Sequence, residues 1–169
     1  VKSYNSDDDL EQFISRRINS KFKVNKTQKH ENELLKNLAG LRGITAIDVM
    51  VPRVDIVTVS MSDNFNDIVN QLTKANHSRV PVTGETKDDI EGIIHIKDVL
   101  ANINSKKKNR LKYILKEPIF IAPSISLLDL LHEMRLKKRH MALVVDEYGG
   151  IDGLVTIEDL VEELVGEIE

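Results

Sequence analysis

The chain has 169 residues, of which 41% are hydrophobic and 30% charged, with a net charge of −3 and no cysteine. That length holds one ordinary domain or two small ones sharing a core, and the absence of cysteine excludes a disulfide framework and thiolate metal sites and fits a reducing compartment. An acidic balance with only 4% aromatic residues argues against nucleic acid as a partner. No run approaches the roughly 18 apolar residues of a membrane span, and no signal peptide is visible, so this piece is expected to be soluble and not to insert into a membrane. Because it begins at Val1 and stops inside a helix-like run, it is expected to belong to something longer.

Residues 1–30 read as a solvated polar arm or weak helix, with Asp7, Asp8 and Asp9 followed by a basic run and a short apolar face of Phe13, Ile14 and Ile18. From Glu31, the residues Leu34, Leu35, Leu38 and Leu41 recur at helical spacing up to Gly40 and Gly43, which predicts a lead-in helix. Pro52 then interrupts, and Val54, Ile56, Val57 and Val59 predict a strand after it. A helix over 64–75 presents Phe65, Ile68, Val69 and Leu72 on one face. Strands are predicted at 79–82 and 90–94 around the turn at 83–89, and a helix at 96–103. The basic stretch Lys106 to Lys112 reads as a solvated connector, since it has no aromatic partners and no phosphate loop. The order then repeats: strand 119–121, helix 126–136, strands 141–145 and 151–155, and a closing helix 157–165.

Within that repetition Phe65, Ile68, Val69 and Leu72 match Leu127, Leu130, Leu131 and Met134 at an offset of 62. Gly92 and Asp98 match Gly153 and Asp159 at an offset of 61, the change falling in a loop, where insertions are expected. A unit of about 50 residues cannot bury an adequate core alone, so the two copies must pack together. The expected fold is α+β, of two tandem β-α-β-β-α repeats packed sheet to sheet behind an N-terminal helix. The expected divisions are 1–43 arm and lead-in helix, 44–104 first repeat, 105–114 basic linker and 115–169 second repeat.

Each repeat ends its third strand in a helix start: Gly153-Leu154-Val155-Thr156-Ile157-Glu158-Asp159, and earlier Gly92-Ile93-Ile94-His95-Ile96-Lys97-Asp98. Thr156 and Asp159 have the spacing of a capping box, which accounts for one such segment but does not require two. These segments resemble the G-h-x-[ST]-x-x-D pattern of paired cystathionine-β-synthase (CBS) domains, in which it marks an adenosine-ribose site. More narrowly, the segment from Asp48 through Met50 and Pro52 to Arg53, the turn from Val145 to Gly150 and the ending from Glu162 through Gly166 to Glu167 resemble the CorC/HlyC group, which includes magnesium and cobalt efflux proteins and proteins called haemolysin C.

The resemblance implies a non-enzymatic regulatory module that binds an adenine nucleotide (ATP, ADP or AMP, with or without Mg2+) in clefts between the repeats. It implies that Asp159 binds the ribose, that Thr156, Arg139 and His140 lie by the phosphates, and that Val54, Asp55, Ile56 and Val57 form the adenine wall. In the mirrored site it implies Asp98, with His95 in place of the hydroxyl residue, His77 and Ser78 before the strand, and Ile119, Phe120 and Ile121 as the wall. The first site is the more complete. The resemblance further implies a homodimer, a C-terminal or membrane domain elsewhere in the parent protein, and a place in the cytoplasm or on the cytoplasmic face of a membrane, while the haemolysin name leaves secretion of the parent open. Membrane lysis by the parent and a purely structural dimerisation domain are the rival functions.

The remaining residues suggest no second chemistry. The five histidines lack zinc spacing, and Glu158, Asp159, Glu162, Glu163, Glu167 and Glu169 along one helix read as a solvated face rather than a divalent-cation site. No nucleophile with an adjoining base and no phosphate loop is present. Tyr148 either offers a protein contact or lies over the core, and Arg53 either faces the nucleotide or pairs with an acid such as Asp48.

Overall fold

The computed structural model describes residues 26–165 apart from 76, 107 and 108; the polar arm over 1–25 and the ending at 166–169 lie outside the described residues. In chain order the helices are α1 (Lys26–Gly40), α2 (Ala46–Val49), α3 (Phe65–Ala75), α4 (Ile96–Ala101), α5 (Arg110–Ile114), α6 (Leu127–Lys137) and α7 (Ile157–Val165), with 3-10 turns at Leu41–Gly43 and Arg53–Asp55. The strands are β1 (Val51–Pro52), β2 (Val59–Ser60), β3 (Arg79–Thr83), β4 (Ile90–His95), β5 (Ile119–Ile121), β6 (Met141–Val145) and β7 (Ile151–Thr156).

Among the described residues these strands form two sheets, ordered β2-β3-β4 and β1-β7-β6-β5. In each, a parallel pair (β2 with β3, β5 with β6) adjoins an antiparallel hairpin (β3 with β4, β6 with β7). Strand periodicity then sorts the side chains. Ala142 and Val144 on β6 and Val155 on β7 face α6 and α7, beside Leu127, Leu130, Met134 and Leu160. Val80, Val82 and Ile94 face α3 and α4, with Ile68, Leu72 and Val99. The alternate residues Met141, Leu143, Ile151 and Leu154 meet Ile93 from the other sheet in a third cluster, so the two sheets pack face to face. Both faces of β6 are therefore apolar, as expected of a strand covered on both sides.

The two halves exchange their lead-in segments. Leu41 and Ala46, which precede the strands of the first repeat's sheet, are buried in the core of the second, and β1 pairs with β7, Val51 opposite Leu154. Reciprocally, Leu111 and Ile114 of α5 are buried in the core of the first repeat, and Lys116 bridges Ile93 on β4 through two backbone hydrogen bonds of 2.9 Å. The segment read as a solvated basic connector is therefore partly a packed helix. Its lysines obscured an apolar pair, Leu111 and Ile114, at the i, i+3 spacing that places both on one helix face.

The strand expected after Pro52 also differs from the sequence reading. Val51 and Pro52 make a short edge strand, where a missing N–H does no harm; the chain then turns through Arg53–Asp55, and pairing resumes only at Val59. Thr45 opens α2 with a reciprocal cap, its backbone N–H and hydroxyl both donating to Asp48 Oδ2 at 2.8 Å. Those bonds hold the Asp48 carboxyl below the usual carboxylate range. At the 146–150 turn, Asp146 Oδ1 accepts from the N–H groups of Tyr148 and Gly150 at 2.8 and 2.7 Å, Gly149 takes φ +85°, and Tyr148 stands 91% exposed at the tip rather than over the core.

The crossings explain two glycines. A Cβ on Gly153 would sit 2.6 Å from both Val51 O and Met50 Sδ, and one on Gly92 would lie 2.7 Å from a Leu115 methyl and 3.1 Å from Lys116 O. Gly153→Ala is expected to lower stability by about 1–3 kcal/mol, the cost of overpacking where backbone must yield, whereas Gly43→Ala, with nothing within 4 Å of its new methyl, should stay within about 0.5 kcal/mol of wild type. Urea denaturation of the two variants tests this; equal losses would contradict the close approach.

Candidate functional site

A cleft of about 290 Å³ lies between the sheets, at the end of the seam where β7 runs into α7. Its apolar walls are Val51, Ile56, Val57, Val80, Pro81, Met141 and Leu154, and its polar rim is Asp55, His77, Ser78, Arg79, Thr156, Glu158 and Asp159. Thr156 and Asp159 form the capping box read from the sequence: Asp159 N–H donates to Thr156 Oγ1 at 3.3 Å, while the backbone N–H and hydroxyl of Thr156 donate to Asp159 Oδ2 at 2.7 and 2.6 Å. Capping and lining the cleft are thus compatible roles. The cap engages Oδ2 and holds the half-buried carboxylate in place, leaving Oδ1 for other donors.

The cation of this cleft comes from the other half. Arg79 opens β3 and pairs across the seam with Glu158 at 3.3 Å, its side chain only 23% exposed. An acid that accepts hydrogen bonds, a guanidinium suited to phosphate oxygens and an apolar slot between them are the elements of a site for a ligand with a hydroxylated ring, an anionic end and a flat apolar part.

Of the residues expected at the first site, the structure brings together Asp159, Thr156, Asp55, Ile56 and Val57. Val54 does not join them; it is 89% exposed and lines a neighbouring pocket on the far side of the Arg53–Asp55 turn. Arg139 and His140 do not line the cleft either: the Arg139 N–H donates to Met134 O at the end of α6, and His140 O accepts the N–H of Ile157. The residues before β3, His77 and Ser78, take that place instead, although they were expected with Asp98. The sheets face each other, so the strand start opposite the α7 terminus belongs to the partner repeat. Arg79 was missed; the available signal was a cation opening a strand in a repeat whose counterpart position holds Met141.

The mirrored position is built differently. Ile119 and Ile121 are buried in the α6–α7 core and Phe120 points away at 51% exposure, because three successive strand residues cannot share one wall. Asp98 faces the Lys116 ammonium at 2.9 Å, an ion pair in which the buried Oδ2 has no hydrogen-bond alignment. His95 caps α4, its Nδ1 accepting from the Lys97 N–H at 3.0 Å. Arg53 pairs with Asp88 at 2.7 Å rather than with Asp48. Among the described residues, no cluster of three or more His, Cys, Asp or Glu could hold a metal ion, and no helix is long and apolar enough to cross a membrane.

Comparison with known proteins places the chain in a family. The CBS-domain family model matches residues 46–105 and 111–166. The chain belongs to the CBS-domain family, as a pair of the haemolysin C/CorC type. A Rickettsia akari protein named "Possible hemolysin C" is 43% identical over 150 residues, covering 88% of this chain and 50% of the relative; the chain thus spans about half the length of that relative. The CBS domain of the bacterial CNNM/CorC family Mg2+ transporter in complex with ATP is 36% identical, with a TM-score of 0.75 over 82% of this chain and 99% of that one. A CBS-domain pair with bound AMP from Klebsiella pneumoniae is 34% identical, with a TM-score of 0.65 over 73% of this chain and 99% of that one.

The His95 cap should make the stability of the CBS pair depend on pH. Burial first, and then the charge of Arg79, lower the imidazole pKa; Lys116 and Lys97 add to this and Asp98 opposes it. Only the neutral ring can accept the Lys97 N–H. The cap's contribution is therefore full above the ordinary imidazole value of about 6.5 and is lost as the pH falls from there through the lower folded value, because the unfolded chain takes up the proton first. Thermal melts above and below this window should show wild type losing more stability on acidification than His95→Thr, which copies the hydroxyl cap of Thr156. Parallel losses in the two proteins would rule the cap out as the cause.

Proposed function

We propose that this CBS pair is a regulatory module, not an enzyme, that binds an adenine nucleotide in the Asp159 cleft and reports its occupancy to the rest of a longer protein concerned with divalent-cation transport. The single observation that carries the reading is that the capped Asp159 carboxylate and Arg79, from different halves, line one cleft. The carboxylate accepts hydrogen bonds from the ribose hydroxyls, and such charge-assisted bonds are the stronger kind. Arg79, with His77 and Ser78 beside it, takes the phosphates. Adenine lies against Ile56, Val57, Val80 and Pro81. A volume of about 290 Å³ is at the low end of ligand sites, which span roughly 300–1,000 Å³, and suits a nucleoside whose phosphates extend along the rim. Glu158 already holds Arg79 and would repel the phosphates, so the nucleotide enters best with its own Mg2+. The ATP and AMP complexes of the similar pairs support the class of ligand.

Binding between the two sheets changes how the halves pack, which makes their relative arrangement the two-state element that a transport domain could sense. We further propose a homodimer and a position on the cytoplasmic side of the membrane. Exposed Val161 and Val165 on α7, beside Leu34, Leu35 and Leu38 on α1, supply apolar area for self-association.

Calorimetry with AMP, ADP and ATP, with and without Mg2+, tests the site. Asp159→Ala should weaken all three nucleotides by about 1.5–3 kcal/mol, roughly 10- to 100-fold, and 2′-deoxy analogues should lose part of the same energy in wild type. Arg79→Ala should weaken ATP and ADP more than AMP. Unaltered affinity in Asp159→Ala would overturn the assignment.

A further inference from the structure

Resting on the reading of the Asp159 cleft as a nucleotide site, we propose that Lys116 is an internal occupant of the equivalent position in the first repeat, and that this lysine limits the CBS pair to one nucleotide per chain. The two exchanged lead-in segments are counterparts at an offset of 65. Ala46 and Leu111 are both buried, and their carbonyls accept the N–H groups of Met50 and Leu115 at 2.9 and 3.2 Å. Met50 packs on Gly153 and Leu115 on Gly92. The next residues, Val51 and Lys116, pair with Leu154 and Ile93, the residues that follow those glycines. Val51 and Lys116 therefore hold the same position in the two halves.

What they do there differs. Val51 is a wall of the Asp159 cleft and leaves that carboxylate to a ligand. Lys116 sends its ammonium to within 2.9 Å of Asp98, the counterpart of Asp159. The ammonium thereby places a positive charge against the carboxylate that ribose hydroxyls would have to displace. A neutral sugar gains little at an acid already paired with a cation on the same chain, since it must first separate the pair.

The test is titration calorimetry with ATP and Mg2+, reading stoichiometry, on wild type, Asp159→Ala, Lys116→Val, Lys116→Ala and Lys116→Val/Asp159→Ala, with far-UV circular dichroism to check folding. Wild type should bind one equivalent, with affinity lowered roughly 10- to 100-fold in Asp159→Ala. Lys116→Val, which copies Val51, should double the stoichiometry, and the double variant should keep one equivalent that disappears when Asp98→Ala is added. The inference is overturned, with the nucleotide reading intact, if wild type already binds two equivalents, if Asp159→Ala keeps a site that needs Asp98, or if folded Lys116→Val and Lys116→Ala still bind only one. If none of the proteins binds ATP, both the inference and the reading beneath it fall.

Discussion

Everything in this fold depends on a crossing: in each half, a segment from the other half lies against the glycine of the third strand. Met50 and Val51 cover Gly153, and Leu115 and Lys116 cover Gly92. Because the crossing segments also carry buried residues, Ala46 into one core and Leu111 and Ile114 into the other, neither half has a complete core of its own. The exchange fixes how the two sheets face each other, and that facing places a strand start of one repeat beside the helix start of the other. The cleft is a consequence of this packing rather than a groove added to a finished domain.

On the proposed reading, the helix start lets a structural and a binding role share one side chain. Reciprocal capping by Thr156 and Asp159 satisfies amides that would otherwise lack partners at the α7 terminus, and one carboxylate oxygen suffices for it. A cap formed this way holds the acid in one rotamer before any ligand arrives, so a ligand meets a carboxylate whose orientation is already paid for by folding. That preorganisation favours binding.

Much of the plan was legible in the sequence because apolar periodicity and turn residues are local signals. β5, β6 and α7 fall where the pattern put them, and the duplication follows from offsets alone. What was not legible was which half supplies each wall. Arg139 and His140 precede a strand just as His77 and Ser78 do, and only the facing of the sheets decides that the latter pair stands by Asp159. Phe120 went wrong for a simpler reason, since reading 119–121 as one wall ignored the alternation of a strand. α5 was hidden because Arg110, Lys112 and the lysines before them in sequence outweighed two buried residues, and Arg79 because a cation at a strand end has many ordinary explanations.

The halves share one plan yet are unequal, and the difference comes down to few residues. The offset between the halves falls from 65 at the crossing to 62 at α3 and α6, so the first repeat has three more residues between them, the length of the Arg53–Asp55 turn. That turn brings Asp55, Ile56 and Val57 onto the Asp159 cleft. At the crossing, valine stands in one half and lysine in the other. On the proposed reading, the acid flanked by an aliphatic side chain is left to a ligand, whereas its counterpart is paired with a lysine of the same chain. On that reading, the extra turn and the valine at the crossing together separate a recognition site from a structural ion pair without disturbing the exchange that holds the halves together.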